Sequence, residues 1–414
     1  MASRGDHLVR AGRHFASGGT VAGRLLAPMF TGIVKQLDQR LARGGIDATL
    51  PDGSRRRVGF NAPGPVAVVH LKSWTALVRL ALTGSVGWYK AWAAGEWASP
   101  DPVSLFELFM ANAVSLGDVA RAKGPTRWIN AAAHRLRDNG LLQARENIAA
   151  HYDLGNDFYS AWLDPSMSYS AARFAEGDDL EQAQRRKVGL LLDRLDIRPG
   201  TRLLEVGCGW GSLAIEAAKR GAEVTGLTLS TEQKSYAEEK IAAEQLSDRV
   251  EIRLQDYREI SEQFDAVASV EMVEAVGERW WPAYLDAIAS NLRPGGRAAL
   301  QYISIDHRLF EDYRKSADFI QAYIFPGGML LDEPRFSALA RERGLSWEDR
   351  DGFGLDYART LAIWRERYDA AVGRGELEEF SSAFHDLWRY YLMYCEGGFR
   401  GGGIDVAQVT MVKA

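Results

Sequence analysis

Thr201-Arg202-Leu203-Leu204-Glu205-Val206-Gly207-Cys208-Gly209-Trp210-Gly211 decides the fold of this chain. A short apolar run carries an acid at Glu205 and ends in three alternate glycines, immediately before a stretch of helical pattern. The segment predicts a strand, then a turn through which backbone comes close to a bound nucleoside, then a helix. A dinucleotide fingerprint reads Gly-x-Gly-x-x-Gly, with its acid about 20 residues further on. Here the acid stands two residues before the first glycine, so the turn belongs to a different class of nucleoside site.

The flanking sequence repeats the alternation. Ala222 to Leu229 is a second apolar run; Ser230 follows as an N-cap, and Gln233 takes the capping-box position of a helix over 231–244. Val250 to Leu254 is a third run, ending at Asp256, and Phe264 to Val270 is a fourth. Trp280 to Asn291 has helical periodicity, and Gly296 to Ile303 forms a fifth strand after the turn Pro294-Gly295. Strands alternating with helices imply right-handed crossovers and a parallel sheet, with the ligand beyond the carboxyl ends of the strands. Glu205, Thr228 and Asp256 stand there. The spacing of acid and glycines is typical of S-adenosylmethionine-dependent methyltransferases, so the expected fold class is α/β, Rossmann-like class I, with a mostly parallel sheet.

The chain has 414 residues, 46% of them apolar, enough for two or three domains. Its net charge of −5 hides a division. Residues 1–145 carry 19 Lys plus Arg against 9 Asp plus Glu, whereas residues 146–414 carry 31 against 46. A basic amino-terminal part suits docking on an anionic surface, and Arg55-Arg56-Arg57 is its densest cluster. Cys208 and Cys395 are far apart, which argues against a disulfide framework or a zinc site, so no metal is expected. The start of the chain, interrupted by Arg4, Arg10 and Arg13, does not read as a signal peptide, and no run approaches about 18 apolar residues. The expected location is cytoplasmic, peripheral to the inner face of the membrane.

Thr20 to Leu41 is helical in pattern. Ile46 to Leu50, the turn Pro51-Asp52-Gly53-Ser54 and Arg55 to Phe60 read as a hairpin, and Pro65 to Leu71 as a strand. Gly84 to Trp97 reads as an aromatic-rich helix in which Trp88, Tyr89 and Trp92 form core, and Gly397 to Gly403 as a loop. The expected domains are therefore 1–115, a linker and connecting helix over 116–145, and a catalytic domain over 146–414.

Further motifs lie in order along the chain: His151-Tyr-Asp-Leu-Gly-Asn-Asp-Phe-Tyr159, Met167-Ser-Tyr169-Ser170, Gln255-Asp256-Tyr257-Arg258, Tyr323-Ile-Phe-Pro326-Gly-Gly, Phe353-Gly-Leu-Asp-Tyr357 and Tyr391-Leu-Met-Tyr-Cys395. With the glycine turn they resemble the cyclopropane fatty acid synthases and mycolic acid methyltransferases over about residues 145–414. The first 115 residues look like the smaller α+β lipid-binding domain of the longer synthases. The resemblance implies methyl transfer from S-adenosylmethionine to a cis double bond in an acyl chain of an unsaturated phospholipid at an anionic membrane surface. It implies that Tyr169 and Ser170 close over the cofactor and that Gly207, Gly209 and Gly211 line its methionine part near Glu205. Thr228 and Gln233 would meet the ribose side, and Asp256 with Tyr257 the adenine. A homodimer is compatible with the sequence.

An alkene is a weak nucleophile, so such a reaction needs alignment, exclusion of water and stabilisation of a carbocation, followed by loss of a proton. In the synthases a bicarbonate ion held by a Cys, a Glu, a His and a Tyr takes that proton. Glu274 matches the Glu and Tyr357 the Tyr, but Ala171 stands in place of the Cys and Gln301 in place of the His, and Ala275 replaces a second His. Bicarbonate capture is thereby weakened. Glu271, three residues before Glu274, offers a substitute: two neighbouring carboxylates in an apolar pocket separate into one ionised base and one neutral acid. The expected catalytic set is Glu274, Glu271, Tyr357 and Gln301, giving a cyclopropane or a methyl-branched or methylene fatty acid. Phe319 to Leu331 supplies an apolar stretch suited to an acyl chain; a plain core helix would read the same. A methyltransferase for a soluble small molecule and a non-catalytic lipid-binding relative are the other readings. Nucleic acid is not an expected partner, because the catalytic part is acidic and lacks a base-flipping motif.

Overall fold

The computed structural model describes residues 4–11, 27–117, 154–315 and 318–414. His151 and nearly all of the expected linker lie outside the described residues. The chain forms two units, one of Met1–Arg137, Asp306–Pro326 and Glu378–Ile404, the other of Asp138–Ile305, Gly327–Leu377 and Asp405–Ala414. The linear division expected from sequence is thus corrected: two later segments belong with the amino-terminal unit.

In the first unit, β1 (Gly45–Thr49) pairs antiparallel with β2 (Arg55–Gly59) and parallel with β3 (Val66–Leu71), which pairs antiparallel with β4 (Trp97–Ala98). The hairpin turn is closed by Asp52, whose carboxylate accepts from the Ser54 amide at 2.9 Å. The aromatic helix spans Thr75–Ala93 rather than 84–97 and bends at Gly84, whose φ is +61°. Trp97 leaves the helix to stack on Trp88, with centroids 4.5 Å apart, and donates its Nε1–H to the Trp88 carbonyl at 3.0 Å. The glycine-rich segment is also corrected, because the helix Ser382–Gly401 runs through it. A Cβ on Gly397 would lie 2.4 Å from Phe106 Cβ, and one on Gly401 2.6 Å from Met110 Cβ. Glycines four apart here let this helix touch the helix Pro102–Ala111. The apolar stretch 319–331 is helical only over Phe319–Tyr323 and divides between the two units, because Pro326 and two glycines follow.

The second unit is built on β5 (Arg202–Val206), β6 (Glu223–Thr228), β7 (Val250–Leu254), β8 (Phe264–Val270), β9 (Leu292–Ile305), β10 (Glu348–Gly352) and β11 (Ile404–Val412), in the order β10-β11-β9-β8-β5-β6-β7. The pairs β5–β6, β6–β7, β5–β8 and β8–β9 are parallel, whereas β10 and β11 are antiparallel. Leu203, Ala266 and Ala299 of the sheet bury themselves with Leu191 and Leu192 of the helix Leu180–Arg194 and with Ala214 of the helix Ser212–Lys219. From β5 the chain first proceeds to β6 and β7 and then crosses to β8 and β9 on the other side. The topological switch point therefore lies between β5 and β8, where open α/β sheets bind their ligands. The glycine turn follows β5 and Glu271 follows β8, so both flank that crevice.

Candidate functional site

Gly207, Gly209 and Gly211 all have positive φ, at 82°, 52° and 88°. The amides of Gly207 and Cys208 donate to the Leu227 carbonyl at 3.1 and 2.9 Å, tying the turn to β6. A Cβ on Gly207 would sit 2.9 Å from Met272 Cγ, whereas one on Gly209 would meet nothing within 4 Å. That open side leaves room for a ligand against the backbone. Glu205 is buried, and its Oε2 has no hydrogen-bond partner. Burial pushes its carboxyl up to about 8, with Lys187 opposing the shift. An orphaned carboxylate oxygen beside an open glycine turn fits the cationic, nucleoside-bearing S-adenosylmethionine.

The other expected cofactor residues are arranged as follows. Thr228, the last residue of β6, donates from Oγ1 to Gln233 Oε1 at 2.8 Å. Ser230 caps the next helix by accepting from the Gln233 amide at 3.2 Å, but the Gln233 side chain turns to Thr228, so the expected box is half formed. Asp256 is buried and grips Arg258 through two side-chain bonds, at 2.8 and 2.7 Å. Tyr257 packs edge-on against Tyr284 at 5.5 Å. Tyr169 sits among Tyr159, Trp162 and Trp364, at 5.4, 5.6 and 5.3 Å. Ser170, buried beside it, accepts from Lys187 Nζ at 2.6 Å.

Of the four expected catalytic residues, Gln301 and Tyr357 converge on Glu271. Its φ of +48° places a residue with a Cβ in the left-handed region, and its amide donates to the Gln301 carbonyl at 2.8 Å. Such strain persists only where the surroundings impose it, and it concentrates at functional sites. The Glu271 carboxylate accepts from the Ala171 amide at 2.8 Å and Gln301 Nε2 at 2.7 Å on Oε1, and from Tyr357 Oη at 2.8 Å on Oε2. Burial drives its pKa up, while the bonds from Gln301 and Ala171, the charge of Lys187 and the bond from Tyr357 draw it down. Three donors on one desolvated carboxyl group favour its charged form against burial and aim it from a rigid strand end.

Glu274 lies one turn further on, within Val273–Ala275. It does not share a hydrogen bond with Glu271: Oε1 accepts from the Ile303 amide, and Oε2 has no partner. Burial first, and the Glu271 charge second, push its pKa up to about 8. Glu274 is therefore the neutral member of the pair at pH 7. Stability linkage follows with a definite sign. Below the ordinary value of 4.5 the folded and unfolded chains both hold this proton; from there to about 8 only the folded chain does, so stability is lost as pH rises through that window. Glu274→Gln should stabilise the protein relative to wild type, by on the order of 2 kcal/mol at pH 8 and negligibly at pH 4.5. Thermal denaturation of both proteins at the two pH values checks this.

Two further residues of this network were not singled out in the sequence. Gln408, on β11, donates to the Lys187 carbonyl and to Gln301 Oε1, both at 3.1 Å. Because a carbonyl only accepts, these bonds fix the amide end that Gln408 shows to Gln301, and so leave the Gln301 NH₂ facing Glu271. Gln301 also donates to the Ala171 carbonyl at 3.2 Å. Lys187 was legible in one respect: with Gln184 it interrupts the stripe Leu180, Ala183, Val188 and Leu191 on the buried side of its helix. A polar residue in an apolar stripe signals a built site.

Comparison with known proteins gives the family. The sequence profile described as mycolic acid cyclopropane synthetase matches residues 140–409. The chain is 39% identical to the tuberculostearic acid methyltransferase UfaA1 of Mycobacterium tuberculosis over 349 residues, covering 81% of this chain and 80% of the relative. It is 34% identical to the cyclopropane-fatty-acyl-phospholipid synthase of Escherichia coli, covering 87% and 91%. The structure of mycolic acid cyclopropane synthase CmaA1 complexed with SAH and CTAB matches with a TM-score of 0.61 at 30% identity, covering 65% of this chain and 98% of that one. The expected fold and cofactor stand together with the shared sequence: the chain belongs to the mycolic acid cyclopropane synthetase family and is an S-adenosylmethionine-dependent methyltransferase of the cyclopropane-fatty-acyl-phospholipid synthase type.

Proposed function

We propose that this enzyme methylates the cis double bond of an unsaturated acyl chain in a membrane phospholipid and that Glu271 is the base that completes the reaction. The observation that carries this reading is the set of donors on Glu271. Ala171, Gln301 and Tyr357 occupy the positions whose counterparts hold bicarbonate in the synthases, and here they grip a carboxylate belonging to the chain itself. The phospholipid substrate draws support from the name of the Escherichia coli relative.

S-Adenosylmethionine, when bound, supplies an electrophilic methyl group. The residues around the glycine turn, with Tyr169, Ser170, Thr228, Gln233, Asp256 and Tyr257, are those that would hold it. The rest is the work of this chain. The rings of Tyr169, Trp162 and Trp364 form an apolar, electron-rich wall that favours a cation without becoming alkylated readily. Addition of the methyl carbon to one alkene carbon leaves the positive charge on the other. Glu271 then accepts one proton. If that proton comes from the new methyl before any hydride shift, the C–H electron pair closes a cyclopropane; once a hydride shift has moved the charge to the methyl-bearing carbon, loss of a proton from the methyl gives a methylene chain and loss from a neighbouring chain carbon gives a methyl-branched unsaturated one. Three donors favour the charged form of Glu271, whereas Glu274 has one, so Glu271 is the member of the pair suited to act as base.

Docking on anionic headgroups falls to the amino-terminal part. Its excess of basic residues and the exposed Arg55 and Arg56 of β2 support this, and no helix among the described residues is long and apolar enough to cross a membrane. Incubation with methyl-labelled S-adenosylmethionine and vesicles of mono-unsaturated phospholipid should label the acyl chains with a gain of one methylene unit. Ozonolysis then separates the products, since only the methylene or branched chain keeps a reactive double bond. Label confined to water-soluble material would refute the lipid substrate.

A further inference from the structure

The Ala171 amide that holds Glu271 belongs to a buried segment, 170–172, that is neither helix nor strand. Backbone groups buried in such a segment need partners, and here side chains supply them. Two successive peptide planes are each held at both ends. In the first, the Ser170 carbonyl accepts from Gln184 Nε2 at 2.8 Å and the Ala171 amide donates to Glu271 Oε1 at 2.8 Å. In the second, the Ala171 carbonyl accepts from Gln301 Nε2 at 3.2 Å and the Ala172 amide donates to Thr360 Oγ1 at 3.1 Å. Thr360 is fully buried, one turn after Tyr357 on the helix Gly354–Gly373. Its hydroxyl proton is committed to the Asp356 carbonyl at 2.8 Å, which can only accept, so the Thr360 oxygen is left to take the Ala172 N–H.

One helix thus reaches the base twice. Tyr357 donates to Glu271 Oε2 directly, whereas Thr360 fixes the peptide plane next to the one whose N–H meets Oε1. Residue 171 has only a methyl side chain, so its polar contribution to the base is the direction of that N–H. We propose that Thr360 is a positioning residue for the base, holding the Ala171 amide on Glu271 through the peptide plane between Ala171 and Ala172. The proposal rests on the reading of Glu271 as the base and adds the residue that aims one of its donors. A hydroxyl that only closed its own helical turn would leave the pH dependence of turnover untouched.

Thr360→Val keeps the shape of the side chain and removes both bonds. The Ala172 amide then loses its acceptor and the Ala171 amide its alignment, so kcat should fall by about 10-fold while the KM for lipid and the affinity for S-adenosylhomocysteine stay at their wild-type values. The Ala171 bond draws the Glu271 pKa down, so the acid limb of the kcat profile should move to higher pH. Lys187, Glu274 and Tyr357, the other ionisable groups that face Glu271, are unchanged in the variant. Thr360→Ser, which keeps the hydroxyl, should restore kcat to within about 3-fold and return the limb to its wild-type position. Added to Glu271→Gln, Thr360→Val should lower the residual rate by no more than about 2-fold, because the donor no longer serves a base. Equal loss of turnover in the serine and valine variants, a limb that stays in place in the valine variant, or an undiminished loss in the double variant would show that Thr360 only packs and would overturn the proposal. Should the valine variant fail to fold, Thr360→Cys, with a much weaker acceptor, is read in the same way. Wild-type turnover in Glu271→Gln would remove the base reading and the proposal together, whereas a slow Glu271→Gln beside an unaffected Thr360→Val would remove the proposal alone.

Discussion

Glu271→Gln is expected to lower kcat by about 10³-fold while S-adenosylhomocysteine binds as in wild type. The amide is isosteric with the carboxylate, so its oxygen still accepts from the Ala171 amide and from Gln301 Nε2, the two bonds that fix Oε1. What is lost is the electron pair that takes the proton. The strained backbone at φ +48° is set by β8, β9 and the bond to the Gln301 carbonyl, not by the side-chain charge, so the fold of the strand end should persist. Steady-state kinetics with vesicle substrate and calorimetry with S-adenosylhomocysteine separate the two effects. Retained turnover would mean that the proton leaves by another route.

Tyr357→Phe should act through the same carboxylate but more mildly, lowering kcat by about 10- to 100-fold at neutral pH. Removing the hydroxyl takes away the one donor to Glu271 Oε2 seen at 2.8 Å. That donor lowers the Glu271 pKa, so its loss raises it further above the ordinary carboxylate value. The base works only when ionised. The acid limb of the kcat profile must therefore move to higher pH, and activity should recover toward wild type as pH rises. A profile that keeps its position while falling uniformly would assign Tyr357 to packing, for which its contact with Trp364 at 6.1 Å provides the means.

The parallel sheet was legible because β5 to β8 are short apolar runs punctuated by turn residues, and burial against helices on both faces demands that pattern. Glu271 was legible as an acid directly after such a run. The partners that orient it were less so, since Gln408 reaches Gln301 from a strand more than a hundred residues away, and no local spacing encodes that register. The glycines at 397 and 401 misled for the opposite reason. Glycine is usually a breaker of helices, but between two helices in contact its missing Cβ is what allows the packing. Likewise the return of 306–326 and 378–404 to the amino-terminal unit depends on long-range contacts that composition does not reveal.

In the proposed mechanism Glu271 is the chain's own base, in place of the bicarbonate that the family resemblance implies. The most direct test is methyl incorporation from labelled S-adenosylmethionine into unsaturated phospholipid vesicles, measured in buffer stripped of carbon dioxide and again with added bicarbonate. Equal rates in the two conditions, both abolished by Glu271→Gln, are the predicted result. A rate that rises with bicarbonate and survives in the variant would contradict the account.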